Sequence, residues 1–155
     1  MVDPRFMRRA LALACESVSS GGGPFGAVVV QNGEVVAEGI NRVTVWNDPT
    51  AHAEVVAVRA ACSALGRFDL RGCEVYSSCE PCPMCLGALH WSRVDRIFYS
   101  ATRFDAARAG FDDAVLYDEF AVTLAERAMP IVKMLAEEAS VPFEAWLRLG
   151  TRTDY

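Results

Sequence analysis

The chain has 155 residues, 52% of them apolar and 23% charged, which suits one globular domain and excludes wholesale disorder, a collagenous repeat and a coiled coil. Its 15 Lys and Arg against 20 Asp and Glu leave a net charge of −5, so its average field repels nucleic-acid phosphates and anionic membranes. Neither is expected as a partner.

In chain order, Phe6, Ala10, Leu13, Ala14 and Val18 recur at helical spacing, and the run Ser19 to Gly23 stops that helix. The apolar stretch after Arg8-Arg9 ends at Glu16, short of the ~7–15 residues of a secretory leader's core. Nor does any stretch approach the ~18 consecutive apolar residues of a membrane span, so a cytoplasmic protein is expected. Arg5, Arg8 and Arg9 read as a solvated face.

Phe25 to Val30 and Val35 to Ile40 read as antiparallel strands joined at the hairpin dipeptide Asn32-Gly33. After the loop Asn47-Asp48-Pro49-Thr50, residues 52 to 65 place Val55, Val58, Cys62 and Leu65 on one helical face, with Gly66 as the stop. Cys73 to Ser77 and Arg96 to Ser100 read as strands flanking a helix from Pro83 to Trp91, a unit that makes parallel neighbours. Ile131 to Leu135 reads as a fifth strand and Pro142 to Leu149 as a last helix. The sum is a single α/β domain over 1–155, a mixed five-stranded sheet with helices on both faces.

The chemistry concentrates in His52-Ala53-Glu54 and, about thirty residues on, Pro81-Cys82-Pro83-Met84-Cys85. Cys82 and Cys85, three apart at a helix start, put both sulfurs on one face, where the positive helix end favours thiolates. His52 and Glu54 inside a helix would diverge by about 200°, so they converge only if His52 sits at or before the first turn. One imidazole and two thiolates leave the fourth tetrahedral position of Zn²⁺ open, as in catalytic sites. The uncoordinated Glu54 is then free to take the proton of a metal-activated water.

Each piece has a plainer reading. A lone CxxC is structural or redox, and with Cys79 the spacing CxxCxxC matches an iron–sulfur site, although the proline before Cys82 and the upstream HxE weigh against both. Cys15, Cys62, Cys73 and Cys79 read as packing, as do Trp46 and Trp146, and His90 as a packed or exposed residue. Glu80 lies beside the cysteine pair and offers a carbonyl or carboxylate to leaving ammonia.

H-x-E followed by P-C-x-x-C is the known signature of zinc nucleobase deaminases. Beyond it, Gly22-Gly23-Pro24-Phe25-Gly26-Ala27, Asn41, Asn47 to Glu54 and Ser78 to Ala88 closely resemble the bacterial guanine deaminases of the cytidine deaminase superfamily. Ala109-Gly110-Phe111-Asp112-Asp113 and the tail from Pro142-Phe143-Glu144-Ala145-Trp146 to Tyr155 look like the same family, and only about 119–140 is loose.

The resemblance implies a three-layer α/β/α cytidine-deaminase-like fold, one Zn²⁺ on His52, Cys82 and Cys85, and Glu54 as proton shuttle. It further implies that the Ala53 N–H bonds the reacting centre, that Asn41 and Asp113 bind the purine's polar edge, and that Phe25 and Trp91 lie against its ring. It also implies a homodimer swapped through about 136–155, with Tyr155 closing the partner's pocket. Without it, Asp112-Asp113 reads as a helix N-cap pair and Tyr155 as a frayed terminus. The expected reaction is deamination of guanine to xanthine; the alternatives are guanosine, ammeline or cytosine deamination, tRNA adenosine deamination, and a zinc-stabilised binding module without turnover, against which the uncoordinated Glu54 argues.

Overall fold

The computed structural model describes residues 3–155. These form two compact units, the first ending at Ala114 and the second spanning Val115–Tyr155. The first holds the sheet.

Helix α1 (Pro4–Ser19) starts where Asp3 accepts a 2.9 Å hydrogen bond from the Arg5 N–H and Pro4 supplies a preset φ. It buries Ala10, Leu13, Ala14 and Ser17, a stripe at spacings of three, one and three. Strands β1 (Gly26–Gln31) and β2 (Glu34–Ile40) pair antiparallel through Asn32 and Gly33, whose φ angles of 53° and 79° are the left-handed pair a type I′ turn requires. A one-turn helix α2 (Val43–Trp46) leads to α3 (Ala53–Leu65), which Gly66 ends with a φ of 62°. Strand β3 (Cys73–Cys79), helix α4 (Pro83–Trp91) and strand β4 (Arg96–Ala101) form the expected parallel crossover unit, followed by the short α5 (Arg103–Arg108).

The strand order is β2-β1-β3-β4, with β3 antiparallel to β1 and parallel to β4. One face packs Ala27, Val29 and Val75 against Ala53, Ala57, Ala61 and Leu89 of α3 and α4. The other packs Val28, Val30 and Tyr76 against Ala10 and Leu13 of α1. Helices therefore cover both faces, as expected.

Two glycines set how closely those helices approach. A Cβ on Gly39 would lie 2.2 Å from the Ala53 carbonyl oxygen and 2.6 Å from the Ala57 nitrogen; one on Gly26 would lie 2.4 Å from the Ala10 carbonyl oxygen and 2.6 Å from the Ala14 nitrogen. Backbone meets backbone at both points, so no side chain can be accommodated by a rotamer change.

The sheet has four strands among the described residues, which corrects the expectation of five. Ile131–Leu135 follows Pro130 as irregular chain, with Ile131 and Val132 exposed and Leu135 at a φ of 48°. Apolar, β-branched residues suit a strand only where another strand offers its N–H and C=O groups, and the second unit contains none. That unit consists of most of α6 (Ala114–Ala121), single 3₁₀ turns at Leu124–Glu126 and Ala136–Glu138, and α7 (Val141–Arg148). Helices α2 and α5 were not read from the sequence: four and six residues are too few to show a periodicity. No helix among the described residues is long and apolar enough to cross a membrane.

Candidate metal centre and active site

His52 and Cys82 occupy equivalent places. Each is the N-cap of its helix, α3 and α4, with extended backbone (ψ of 154° and 166°) and no side-chain capping bond. Each side chain therefore leaves the chain before the first turn, which is the condition that lets His52 and Glu54 converge. Pro83 at the first helical position starts α4, and Cys85, two residues on, turns its sulfur to the same point as Cys82. Both helices aim their positive ends at these donors.

The Cys82 and Cys85 sulfurs lie 3.6 Å and 3.4 Å from His52 Nδ1, and the three donor atoms all lie within 4.8 Å of one another. Zn–S bonds near 2.3 Å and a Zn–N bond near 2.05 Å at a tetrahedral angle would hold sulfur and nitrogen about 3.6 Å apart. The donor set fits zinc in both chemistry and spacing. Cys82 is held down at about 4, chiefly by the hydrogen bond it accepts from Cys85 and further by His52. Cys85 is pushed up by that same shared proton and by burial, and the contact with Cys82 raises His52.

Glu54 follows within the first turn of α3 and is buried at 6% exposure. Burial pushes its carboxyl up. Its Oε1 accepts a 3.0 Å hydrogen bond from the Ser77 hydroxyl, and the Cys85 thiol donates to its Oε2 at 3.4 Å. Such a carboxyl, raised and held beside a metal corner, is placed to act as a general acid and base.

A cavity of about 510 Å³ opens from this corner, within the first unit. Phe25, Asn41 and Asp113 line it together with His52, Glu54 and Cys82. Asn41 is buried, and its Oδ1 accepts from the backbone N–H groups of Gly23 and Val43 at 3.2 and 3.3 Å. Those donors fix the amide's orientation and turn its NH₂ group away from them. Asp113 has its carboxyl raised, first by burial and then by the charge of Cys82. Its neighbour Asp112 accepts from the Ala114 N–H at 2.9 Å, so the capping expected of the pair falls to Asp112. Ala53, fully buried, is the first residue of α3, where a helix leaves its N–H without an intrahelical acceptor.

Trp91 does not line this cavity: it stands at the last position of α4, 69% exposed. Tyr155 belongs to the second unit and is 70% exposed. Cys79 lines the cavity but is no fourth metal donor, since its thiol donates to the Thr102 carbonyl at 3.6 Å and burial raises it to about 11. The donor atoms that cluster are those of His52, Cys82 and Cys85, and the sulfur of Cys79 is not among them. Glu80 also faces the cavity, its carboxylate accepting from the Arg103 N–H at 3.1 Å. Phe111, which packs edge-on to Phe25 at 5.1 Å, and Arg103 are wall residues to which spacing assigned no role.

A family model described as the cytidine and deoxycytidylate deaminase zinc-binding region matches residues 1–101. The chain is 51% identical over 151 residues to the guanine deaminase of Bacillus subtilis strain 168, covering 97% of both chains. It superposes on the crystal structure of the Bacillus subtilis guanine deaminase with a TM-score of 0.97 at 50% identity, covering 100% of this chain and 99% of that one. A tRNA-specific adenosine deaminase of Aquifex aeolicus is 42% identical over 96 residues, 62% of this chain and 64% of that one. His52, Cys82 and Cys85 are thus placed to hold the one Zn²⁺ of this family. The similarity to guanine deaminase runs through the second unit as well as the first, and the chain belongs to the guanine deaminase family within the zinc-dependent cytidine and deoxycytidylate deaminases.

Proposed function

We propose that this enzyme hydrolyses guanine to xanthine and ammonia. The observation that carries the reading is one cavity lined by members of a His, Cys, Cys donor group, the buried carboxyl of Glu54 and two further polar side chains, Asn41 and Asp113.

Zinc, when bound, supplies a Lewis acid that makes water nucleophilic near neutral pH. The other steps belong to the chain. Glu54 accepts one water proton as oxygen adds to the amino-bearing carbon and delivers it to the adjoining ring nitrogen; it then takes the remaining proton of the added hydroxyl and passes it to the amine as the carbon–nitrogen bond breaks and the carbonyl forms. The Ala53 N–H donates to the reacting centre. The Asn41 NH₂ donates to an acceptor on the purine edge, while Asp113 accepts from the N–H groups that guanine presents. Phe25, braced by Phe111, packs on the ring.

The protein acts in this reading as a cytoplasmic homodimer in which about 136–155 crosses to the neighbouring subunit, where Tyr155 closes the pocket. The second unit buries none of its residues and exposes Phe120, Val132, Met134, Phe143 and Leu147, an apolar surface that calls for a covering partner. All six cysteines are free thiols, which a reducing compartment preserves. Removal of Tyr155 should leave a species of twice the chain mass by light scattering and lower kcat/KM for guanine; full activity would refute the lid, and a monomeric parent would refute the swap.

The decisive experiment is ammonia release from guanine, guanosine, adenine, cytosine, cytidine and ammeline by protein carrying about one zinc per chain. Release from guanine should dominate. Asp113→Ala should lower kcat/KM for guanine by about 10–100-fold with zinc unchanged, since it removes a hydrogen bond to a charged group. Faster turnover of a nucleoside would overturn both the substrate and the closed pocket. The charge of −5 disfavours tRNA as the substrate.

A further inference from the structure

We propose that Ser77 is a positioning residue that holds the Glu54 carboxylate in the orientation that turns Oε2 toward the metal donors. This rests on the function proposed above. Ser77 is 2% exposed on β3, and its hydroxyl donates to Glu54 Oε1 at 3.0 Å. The other oxygen, Oε2, is the one that meets Cys85, on the side of the metal donors.

Strand β3 is paired on both sides, Ser77 standing opposite Ala27 of β1 and Tyr99 of β4, so neighbouring carbonyls are engaged by the sheet. With the Ser77 hydroxyl on Oε1, rotation of the carboxylate is resisted and Oε2 stays on the side of the metal donors. The next residue shows the contrast. Ser78 points to the opposite face of the sheet, as strand alternation requires, where its hydroxyl only accepts from the Gly26 N–H at 3.0 Å. Two adjacent buried serines thus serve different ends.

The test compares zinc-loaded Ser77→Ala, Ser77→Thr and Ser78→Ala with the parent. Ser77→Ala should keep its zinc and a KM for guanine within about twofold while kcat falls about 10–100-fold, the usual cost of losing an outer-shell partner. Ser77→Thr, which keeps the hydroxyl, should restore kcat, and Ser78→Ala should change stability without lowering kcat. Crystal structures of the zinc-loaded proteins provide the readout that does not depend on turnover: the Glu54 carboxylate should keep its orientation in the parent and the Thr variant and rotate in the Ala variant. An unchanged Glu54 in Ser77→Ala, or equal loss of kcat in the Ala and Thr variants, would overturn the role. A parent that released ammonia from another base and none from guanine would overturn only the assigned substrate, and the Glu54 orientation would still decide for or against Ser77.

Discussion

Glu54→Gln should retain about one zinc per chain and lose about 10²–10⁴-fold in kcat for guanine, the range a general acid–base group contributes. Glutamine has nearly the shape of glutamate, and its side-chain carbonyl still accepts from Ser77, so the first turn of α3 keeps its seat. It cannot take a proton at neutral pH. Because Glu54 is no metal ligand and meets Cys85 through Oε2, removing its charge relieves repulsion with a Cys85 thiolate and leaves zinc in place. Metal analysis with steady-state ammonia release reads both quantities on one preparation. Turnover near the parent rate would remove Glu54 from the chemistry, and loss of zinc would mean that the carboxylate holds the metal.

The metal corner was legible because its constraints are local. Cys82 and Cys85 lie in one helical turn, and the requirement that His52 precede the first turn of α3 follows from 3.6 residues per turn alone; the N-cap position of His52 satisfies it. The strands of the first unit were legible for a similar reason, since Asn32-Gly33 dictates a hairpin and Pro83 opens a crossover helix. What spacing could not reach were contacts between residues distant in the chain. Ser77 and Glu54 are 23 residues apart, and neither β3's alternation nor the α3 pattern says that the serine and the carboxylate meet. Asp112 lines the cavity and also caps a helix, whereas no capping bond falls to its fellow lining residue Asp113, a distinction that two adjacent aspartates do not announce. The place of Asp113 came from resemblance to a family. The fifth strand failed on the converse point: Ile131–Leu135 has the side chains of a strand, but pairing is a property of the neighbour.

Gly39→Ala should couple a loss of stability to a loss of metal. The added methyl would meet the Ala53 carbonyl oxygen at 2.2 Å, the Ala57 nitrogen at 2.6 Å and the Ala57 Cβ at 3.0 Å, so relief requires α3 to move away from β2. Overpacking of this kind costs about 1–3 kcal/mol. The same displacement carries His52 and Glu54 at the head of α3 away from Cys82 and Cys85 at the head of α4. Shifts of about 1 Å in a reacting constellation cost about 10²-fold in rate. Gly26→Ala separates the two effects. Its methyl would press on Ala10, Leu13 and Ala14 of α1, at 2.4–2.6 Å, on the face of the sheet that supplies no metal donor. Both variants should melt below the parent, while zinc titration should show weaker binding for Gly39→Ala and near-parent binding for Gly26→Ala. If Gly39→Ala bound zinc as the parent does, the close seat of α3 on β2 would be a matter of packing only, and the geometry of the metal corner would have to be held by α4 and the loop before His52.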